Sequence, residues 1–474
     1  MTRTGTWTLL ALAGVGLFPT LVQADPPREG AGGAAVLGFS PLDNDEAWKR
    51  LPIEKREPEP LPSWARILAG PAPRLAASLL RLDFVHRAHS PLDPKLRASM
   101  RWVTAHANHC AYSEAYALTD AKRAGLDEAA LNALRRGDWT ALSDSEKAAV
   151  EFARKMTVAS STVSDDEFRS LVVKYGEKKV AGMVILMAYS NFQDRLMLSL
   201  GAAIEPNGPL PPVEVVVIQE PAGTRPPRQA SQPSTLPKPT GNDLVEDDLE
   251  WIGITYDELQ DRLEHQRAKT SRVAEPTYEE VYRDWPAGVP KAEPKPTRII
   301  WNLVCSGYQP ELASAWMACG RSRAGSTEKS RLDPVFANTL FWVITRAINC
   351  TYCMGHCEML LEVAGLSKPE IAERTKILAG DDWSSFPPAE QRAFAYARKL
   401  TRAPWTVNTD DIRSLDKDFG HDLALGVIYN ACWGNYMTRV SNGFQLRLER
   451  DNIFFDSFSQ EPTPAKTAQN PSAK

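Results

Sequence analysis

Long hydrophobic runs are almost missing from this sequence. Beyond the stretch from Trp7 to Val22, no segment of the 474 residues approaches the roughly 20 apolar residues that a membrane-spanning helix requires. An excess of charge of one sign is missing too. The formal net charge of −4 offers no basic surface for nucleic acid, so no nucleic-acid partner is expected. Sustained apolar–polar alternation with Gly-Asn turns is absent, which argues against β architecture. Cysteine is scarce at seven, an odd number, and unevenly spread, which a disulfide-stapled scaffold would not be.

What remains is the composition of a soluble globular protein, 43% hydrophobic and 24% charged, in a chain too long for one ordinary core. The 36 prolines predict linkers. At the N-terminus, Arg3, the apolar run and Val22-Gln23-Ala24 ahead of Asp25 have the form of a secretory signal peptide over residues 1–24. An uncleaved anchor helix is the alternative, but the run is short and its far flank acidic. No cysteine follows it to carry a lipid. The expected location is secreted or periplasmic, with no membrane span after cleavage.

Three of the seven cysteines fall together in Cys350-Thr351-Tyr352-Cys353-Met354-Gly355-His356-Cys357. The apolar repeat between Leu340 and Gly365 places this cluster on a helix. At about 100° per residue, Cys350, Cys353 and Cys357 share one face within about 60°. A C-x-x-C at the start of a helical turn is the usual geometry of a redox dithiol. The other cysteines, Cys110, Cys305, Cys319 and Cys432, stand alone.

Internal repetition organises the chain. Arg101-Trp102-Val103 through Cys110 lies over Phe341-Trp342-Val343 through Cys350, about 240 residues on. Ala124-Gly125-Leu126 matches Ala364-Gly365-Leu366, and Ala153-Arg154-Lys155 matches Ala397-Arg398-Lys399. Asn191 and Arg195 match Asn435 and Arg439, and Pro73-Arg74-Leu75-Ala76 matches Pro310-Glu311-Leu312-Ala313. The expected organisation is a disordered leader at 25–59, a first domain at 60–205, a Pro-rich linker with a short acidic helical segment at 206–296, a second domain at 297–452 and a disordered tail at 453–474. Trp251, Ile254, Tyr256, Leu259 and Leu263 in the linker have the spacing of a weak amphipathic helix, an arm packed on one of the domains. Within the second domain, Ser367 caps a helix with Pro369 near its first turn, Pro388–Thr401 forms another, Asn408 opens a third, and 421–446 is long and buried. The class is all-α.

Asn349-Cys350-Thr351-Tyr352-Cys353-Met354-Gly355-His356, then Ala364-Gly365-Leu366, Ala397-Arg398-Lys399-Leu400-Thr401, and Asn435-Tyr436 with Arg439 resemble the carboxymuconolactone decarboxylase and alkylhydroperoxidase D-like superfamily, in its peroxidase-related branch. The resemblance covers the second repeat and extends with a weaker motif to the first, giving two tandem alkylhydroperoxidase D-like helical domains. It implies a homo-oligomer, peroxiredoxin-type activity on a small hydroperoxide, an unknown thiol reductant and no cofactor or metal. In the family the second cysteine attacks and the first resolves, which makes Cys353 peroxidatic and Cys350 resolving. Cys357 is a further candidate resolving thiol, and His356 a candidate proton carrier.

The sequence departs from the family at two relay positions. Cys357 stands where the family has a histidine, with His356 one residue early, and Asn338 stands where it has a glutamate. Arg346, one turn before Cys350, is a candidate electrostatic substitute. The first repeat departs further: Cys110 aligns with the first cysteine, while Ser113, Tyr116 and Ala117 replace Cys353, His356 and Cys357. That copy reads as catalytically degenerate, supplying an oligomer-like interface, with His106 and His109 as ordinary neighbours of a buried Cys110. Competing readings are a Zn or iron–sulfur site on Cys350, Cys353, His356 and Cys357, and a noncatalytic scaffold with a permanent Cys350–Cys353 disulfide. Met354 after Cys353 rules out haem attachment. Cys432, Asn435 and Tyr436 are candidate pocket residues on the last helix.

Overall fold

A computed structural model describes residues 33–54, 59–218, 253–293, 295–323, 331–380 and 382–455. These contain twenty α-helices and no β-strand, only an isolated bridge between Ile53 and Val217. Three helices come first: α1 (Gly33–Val36), α2 (Asn44–Arg50) and α3 (Ser63–Leu68). The first half continues with α4 (Pro73–Ala88), α5 (Pro94–Ala107), α6 (Ala111–Arg123), α7 (Glu128–Arg135), α8 (Asp144–Val158), α9 (Asp165–Tyr175) and α10 (Glu177–Leu200). Two connecting helices follow, α11 (Tyr256–Ala268) and α12 (Tyr278–Arg283). The second half holds α13 (Ile300–Tyr308), α14 (Pro310–Arg323), α15 (Pro334–Ala347), α16 (Thr351–Val363), α17 (Lys368–Ala379), α18 (Pro388–Arg402), α19 (Thr409–Phe419) and α20 (His421–Phe444).

Local sequence sets these bounds. Proline in the first turn starts α4, α5, α15, α17 and α18, where its missing N–H costs nothing. Reciprocal side-chain and backbone bonds close the N-termini of α8 (Ser143 with Glu146), α9 (Ser164 with Glu167) and α19 (Asn408 with Asp411). The expected stripe of α18, Phe394, Ala397 and Leu400, is fully buried.

The two halves repeat element by element. α5, α6, α8, α9 and α10 contain 14, 13, 15, 11 and 24 residues, and α15, α16, α18, α19 and α20 contain 14, 13, 15, 11 and 24. Positive φ recurs at equivalent non-glycine residues, His109 (50°) and Asn349 (54°). The C-caps of the two longest helices, Gly201 (64°) and Gln445 (47°), are left-handed as well.

The halves pack on each other through α10 against α20 and α4 against α14. Arg195 Nη2 donates to Thr401 O at 2.8 Å, and its counterpart Arg439 Nη2 donates to Thr157 O at 3.0 Å. Each arginine is also held by the asparagine one turn earlier, Arg195 Nη1 to Asn191 Oδ1 at 2.9 Å and Arg439 Nη1 to Asn435 Oδ1 at 2.7 Å. The matching Asn and Arg pairs seen in the sequence are therefore the clasp between the halves, an interface of the kind expected of the first copy. Both guanidiniums are buried and pay for desolvation, so the donated bonds must be made. Arg439→Ala should lower unfolding free energy by about 2–3 kcal/mol, measured by urea denaturation, with Arg195→Ala matching it.

Three expectations on order need correction. The leader, expected to be disordered over 25–59, forms α1 and α2 and buries Leu37, Ala47 and Leu51. The Pro-rich start of the linker packs as far as Ile218, with Val213 and Val215 buried. The start of the tail is also placed: Ile453 and Phe454 are buried, and Asn452 Nδ2 donates to Met359 O at 2.9 Å. In each case a few apolar residues within a polar stretch suffice to dock it. The linker arm forms as expected: α11 lies on α16 and α17 with Leu259 and Leu263 fully buried, and Ile254 N donates to Ala379 O at 3.0 Å. Trp251 and the signal segment 1–24 lie outside the described residues.

Candidate active site at the start of α16

The cysteine cluster lies on one helix as expected, α16, with Cys350 at its N-cap, but the apolar stretch that runs into it from Leu340 is broken ahead of Cys350. α15 ends at Ala347, Asn349 turns the chain through its left-handed φ, and Cys350 N donates to Thr345 O at 2.8 Å. Asparagine tolerates this conformation, which is why no glycine or proline flagged the break. Cys350 becomes the N-cap of α16, its carbonyl accepting from Met354 N at 3.0 Å. Cys353 then stands in the first turn, near the positive end of the helix dipole, where a thiolate gains stability.

Burial opposes that gain. Cys350, Cys353 and Cys357 are all free thiols, at most 3% exposed. Desolvation, and next the neighbouring thiol of Cys350, push Cys353 well above the ordinary thiol range. Burial and the nearby Cys350 do the same to Cys357. The Cys353 thiol also donates to Ser441 Oγ at 3.3 Å, and Ser441 Oγ donates to Met437 O at 2.9 Å.

His356 is paired with a carboxylate that the sequence reading missed. Its Nε2 lies 2.7 Å from Glu449 Oε2, both side chains being 7% exposed. Glu449 Oε1 accepts from Ile300 N at 2.8 Å and from Tyr352 OH at 3.1 Å. Burial alone would raise this carboxyl; the His356 ring and the Ile300 N–H outweigh it and hold Glu449 below the usual carboxylate range. Phe454 closes the imidazole edge-on at 4.9 Å between centroids. A signal for Glu449 did exist: Glu205 stands at the matching place in the first repeat, and accepts in the same way from Ser63 N, Tyr112 OH and Tyr116 OH at 2.7, 3.1 and 2.8 Å.

Other candidates are placed elsewhere. Arg346 Nη1 donates to Asn349 Oδ1 at 2.7 Å, holding the left-handed turn. Asn338 Nδ2 donates to Leu360 O, tying α15 to α16. Asn435 belongs to the Arg439 clasp, Tyr436 stacks on Trp316 at 3.4 Å, and Cys432 is buried beside Arg195, so all three are core. In the first half, Cys110 donates to Ser113 Oγ at 3.4 Å and burial pushes its thiol up to about 12. His106 pairs with Glu114 at 3.2 Å and His109 packs edge-on against Trp405, so neither histidine builds a site around Cys110.

Residues 73–155 match the carboxymuconolactone decarboxylase family. The matched segment runs from the start of α4 into α8 and contains Cys110. It therefore covers the half with the weaker motif, whereas the resemblance read from sequence rested chiefly on the half with the dithiol. The helices of the described residues agree with the all-α class of that family. No curated protein matches the chain.

Helix α11 packs on α16 beyond the thiols. Gln260 Nε2 donates to Glu358 Oε1 at 3.3 Å, and burial pushes the Glu358 carboxyl up to about 7. A raised acid is protonated in the folded state where an unfolded glutamate has already ionised. Stability should thus fall as pH rises from about 4.5 toward 7. Glu358→Gln should flatten that decline, read as thermal midpoint between pH 5 and 8.

Proposed function

We propose that this chain is a thiol-dependent peroxidase of the alkylhydroperoxidase D-like type, built from two tandem domains, with residues 297–452 carrying the chemistry and 60–205 catalytically silent. The observation that carries this reading is the pair of neighbouring free thiols, Cys350 at the N-cap and Cys353 in the first turn of α16. The His356–Glu449 pair supports it, because it supplies an imidazole and a carboxylate where the family's relay positions hold Cys357 and Asn338.

Cys353 gives its proton to His356, three residues on, whose ring is held in place by Glu449. The thiolate attacks the outer oxygen of a hydroperoxide, the O–O bond breaks, and the leaving alkoxide takes the proton from His356 and departs as an alcohol. Cys353 is now a sulfenic acid. Cys350 attacks its sulfur, hydroxide leaves with the Cys350 proton as water, and the pair becomes a disulfide. An external thiol reductant returns two electrons and two protons. With Cys353 buried, substrate reaches it only when an element packed on α16 moves aside. The N-terminal segment supports an exported, secreted or periplasmic protein, and the resemblance supports a homo-oligomer.

A second reading has its own observation. All three thiols are buried, which suits a permanent disulfide in a noncatalytic scaffold. Peptide mass mapping after one equivalent of hydroperoxide distinguishes the routes. The proposal expects a Cys350–Cys353 link, a Cys353–Cys357 link would make Cys357 the resolving thiol, and unchanged thiols would remove the peroxidase reading.

A further inference from the structure

The first half, read above as silent for thiol chemistry, holds a buried polar cluster with unpaired groups. His86 on α4 is 1% exposed, lies flat on Tyr189 of α10 with ring centroids 3.9 Å apart, and neither of its ring nitrogens has a hydrogen-bond partner. Arg101 on α5 is 8% exposed; its Nη2 donates to Gln193 Oε1, its guanidinium carbon sits 5.3 Å from the Tyr189 centroid, and its Nη1 has no partner. Arg97, one turn earlier on α5, is half-buried and faces the same histidine: burial first, then the charges of Arg101 and Arg97, hold His86 well below its ordinary range and hence neutral.

Of the carboxylates nearby, Asp83 and Asp120 are already taken, and Asp194 keeps its buried Oδ1 without a partner. Asp83 accepts from Tyr189 OH at 2.7 Å, from Gln193 Nε2 at 3.3 Å and from Arg87 Nη1 at 3.1 Å. Asp120 accepts from Arg87 twice, at 2.8 Å each. Asp194, which Arg101 also feels, accepts from Asn108 at 2.8 Å and lies by both Arg195 and Arg439. Among the described residues Arg97 and Arg101 form no ion pair. Leaving a buried guanidinium N–H and a buried imidazole unsatisfied costs roughly 1–3 kcal/mol each, and structural packing does not explain the cost. The second half has the same helices with Gly320, Ala337, Phe341, Trp433 and Met437 at the places of Asp83, Arg97, Arg101, Tyr189 and Gln193. There Trp433 fills the space, 2.9 Å from where a Gly320 Cβ would stand, and stacks on Trp316 at 3.8 Å. At these five places the fold is thus satisfied by apolar residues, with Arg323 at the place of His86, and the combination of Arg97, Arg101, Tyr189 and Gln193 is a feature of one half alone.

We propose that the first half binds a small oxyanion between α4, α5 and α10, with Arg101 Nη1 and Arg97 as its charge partners and His86 as a neutral hydrogen-bond donor. Arg101 supplies the planar N–H edge suited to an oxyanion, and Arg97 stands at the half-exposed mouth. An organic carboxylate and inorganic phosphate share this chemistry. The site is independent of Cys350 and Cys353, so it stands or falls apart from the peroxidase reading.

The test is thermal unfolding of the full chain at constant ionic strength, titrated separately with phosphate, sulfate, acetate, succinate and benzoate. At least one anion should raise the midpoint saturably, since a ligand of the folded state alone stabilises by mass action. Saturation by carboxylates only, or by phosphate and sulfate only, identifies the source. Arg101→Met and Arg97→Gln should each abolish the saturable shift, while Arg413→Met, on the exposed side of α19, should keep it. Without anion, Arg101→Met should unfold at the wild-type midpoint or above it, because the buried charge it removes makes no ion pair and leaves Nη1 unpartnered. No saturable shift with any anion, or a shift that survives both Arg97→Gln and Arg101→Met, would overturn the proposal. So would a fall of several degrees in the anion-free midpoint of Arg101→Met, the mark of a structural role; if that variant does not fold, Arg97→Gln with the anion titration decides.

Discussion

Cys353→Ser is expected to lower hydroperoxide consumption by on the order of 10³-fold or more while leaving the fold intact. The loss follows from removing the only sulfur that both touches Cys350 and stands in the first turn of α16. Retention of the fold follows from the chain itself, since Ser113 occupies the same place in the first half and is buried there beside Cys110. Cys350→Ala should behave differently. Its first turnover should proceed at nearly the wild-type rate and then stop, because a sulfenic acid without a partner thiol accumulates or oxidises further. Rapid-mixing measurements of the first turnover, set against steady-state consumption with dithiothreitol, separate the two variants.

Glu449→Ala should be the most damaging single change to stability at the site, costing about 3–5 kcal/mol. Three buried groups lose their acceptor at once: the Ile300 N–H, the Tyr352 hydroxyl and His356 Nε2. Glu449→Gln keeps an acceptor for the first two and should cost about 1–2 kcal/mol, yet it removes the carboxylate that pairs with the His356 ring. Peroxidase turnover of this variant should fall by about 10²-fold, the range typical of lost proton-transfer assistance. Stability carries the opposite pH dependence to that of Glu358. Because Glu449 is depressed in the folded state, its contribution is present above the ordinary glutamate range near 4.5 and is lost as pH falls below it. Urea denaturation between pH 3.5 and 7 should show a steeper acid decline for the wild type than for Glu449→Gln. Glu205→Ala, the equivalent change in the first half, should destabilise without altering turnover.

Much of the fold was legible in the sequence because helix starts were written in local chemistry. Ser367 with Pro369, Pro388, and Asn408 with Asp411 each opened the helix they announced. The spacing of Leu259 and Leu263 also gave away the arm that packs on α16. The break ahead of Cys350 was hidden, since Asn349 turns the chain within an otherwise continuous apolar pattern. Glu449 was hidden for a different reason: it lies past the end of α20, far in sequence from His356, and joins the site only through tertiary packing. The polar cluster on α4, α5 and α10 gave no periodic signal, because charged residues at helical spacing ordinarily mark a solvated face.

The central claim is that Cys350 and Cys353 cycle between dithiol and disulfide at the cost of one hydroperoxide per cycle. It is tested most directly by titrating the reduced full-length protein with hydroperoxide in the absence of reductant while counting free thiols. The account predicts that one equivalent of peroxide is consumed, that two thiols are lost per chain, at Cys350 and Cys353, and that both return with dithiothreitol. A protein that consumes no peroxide and retains all seven thiols would contradict it.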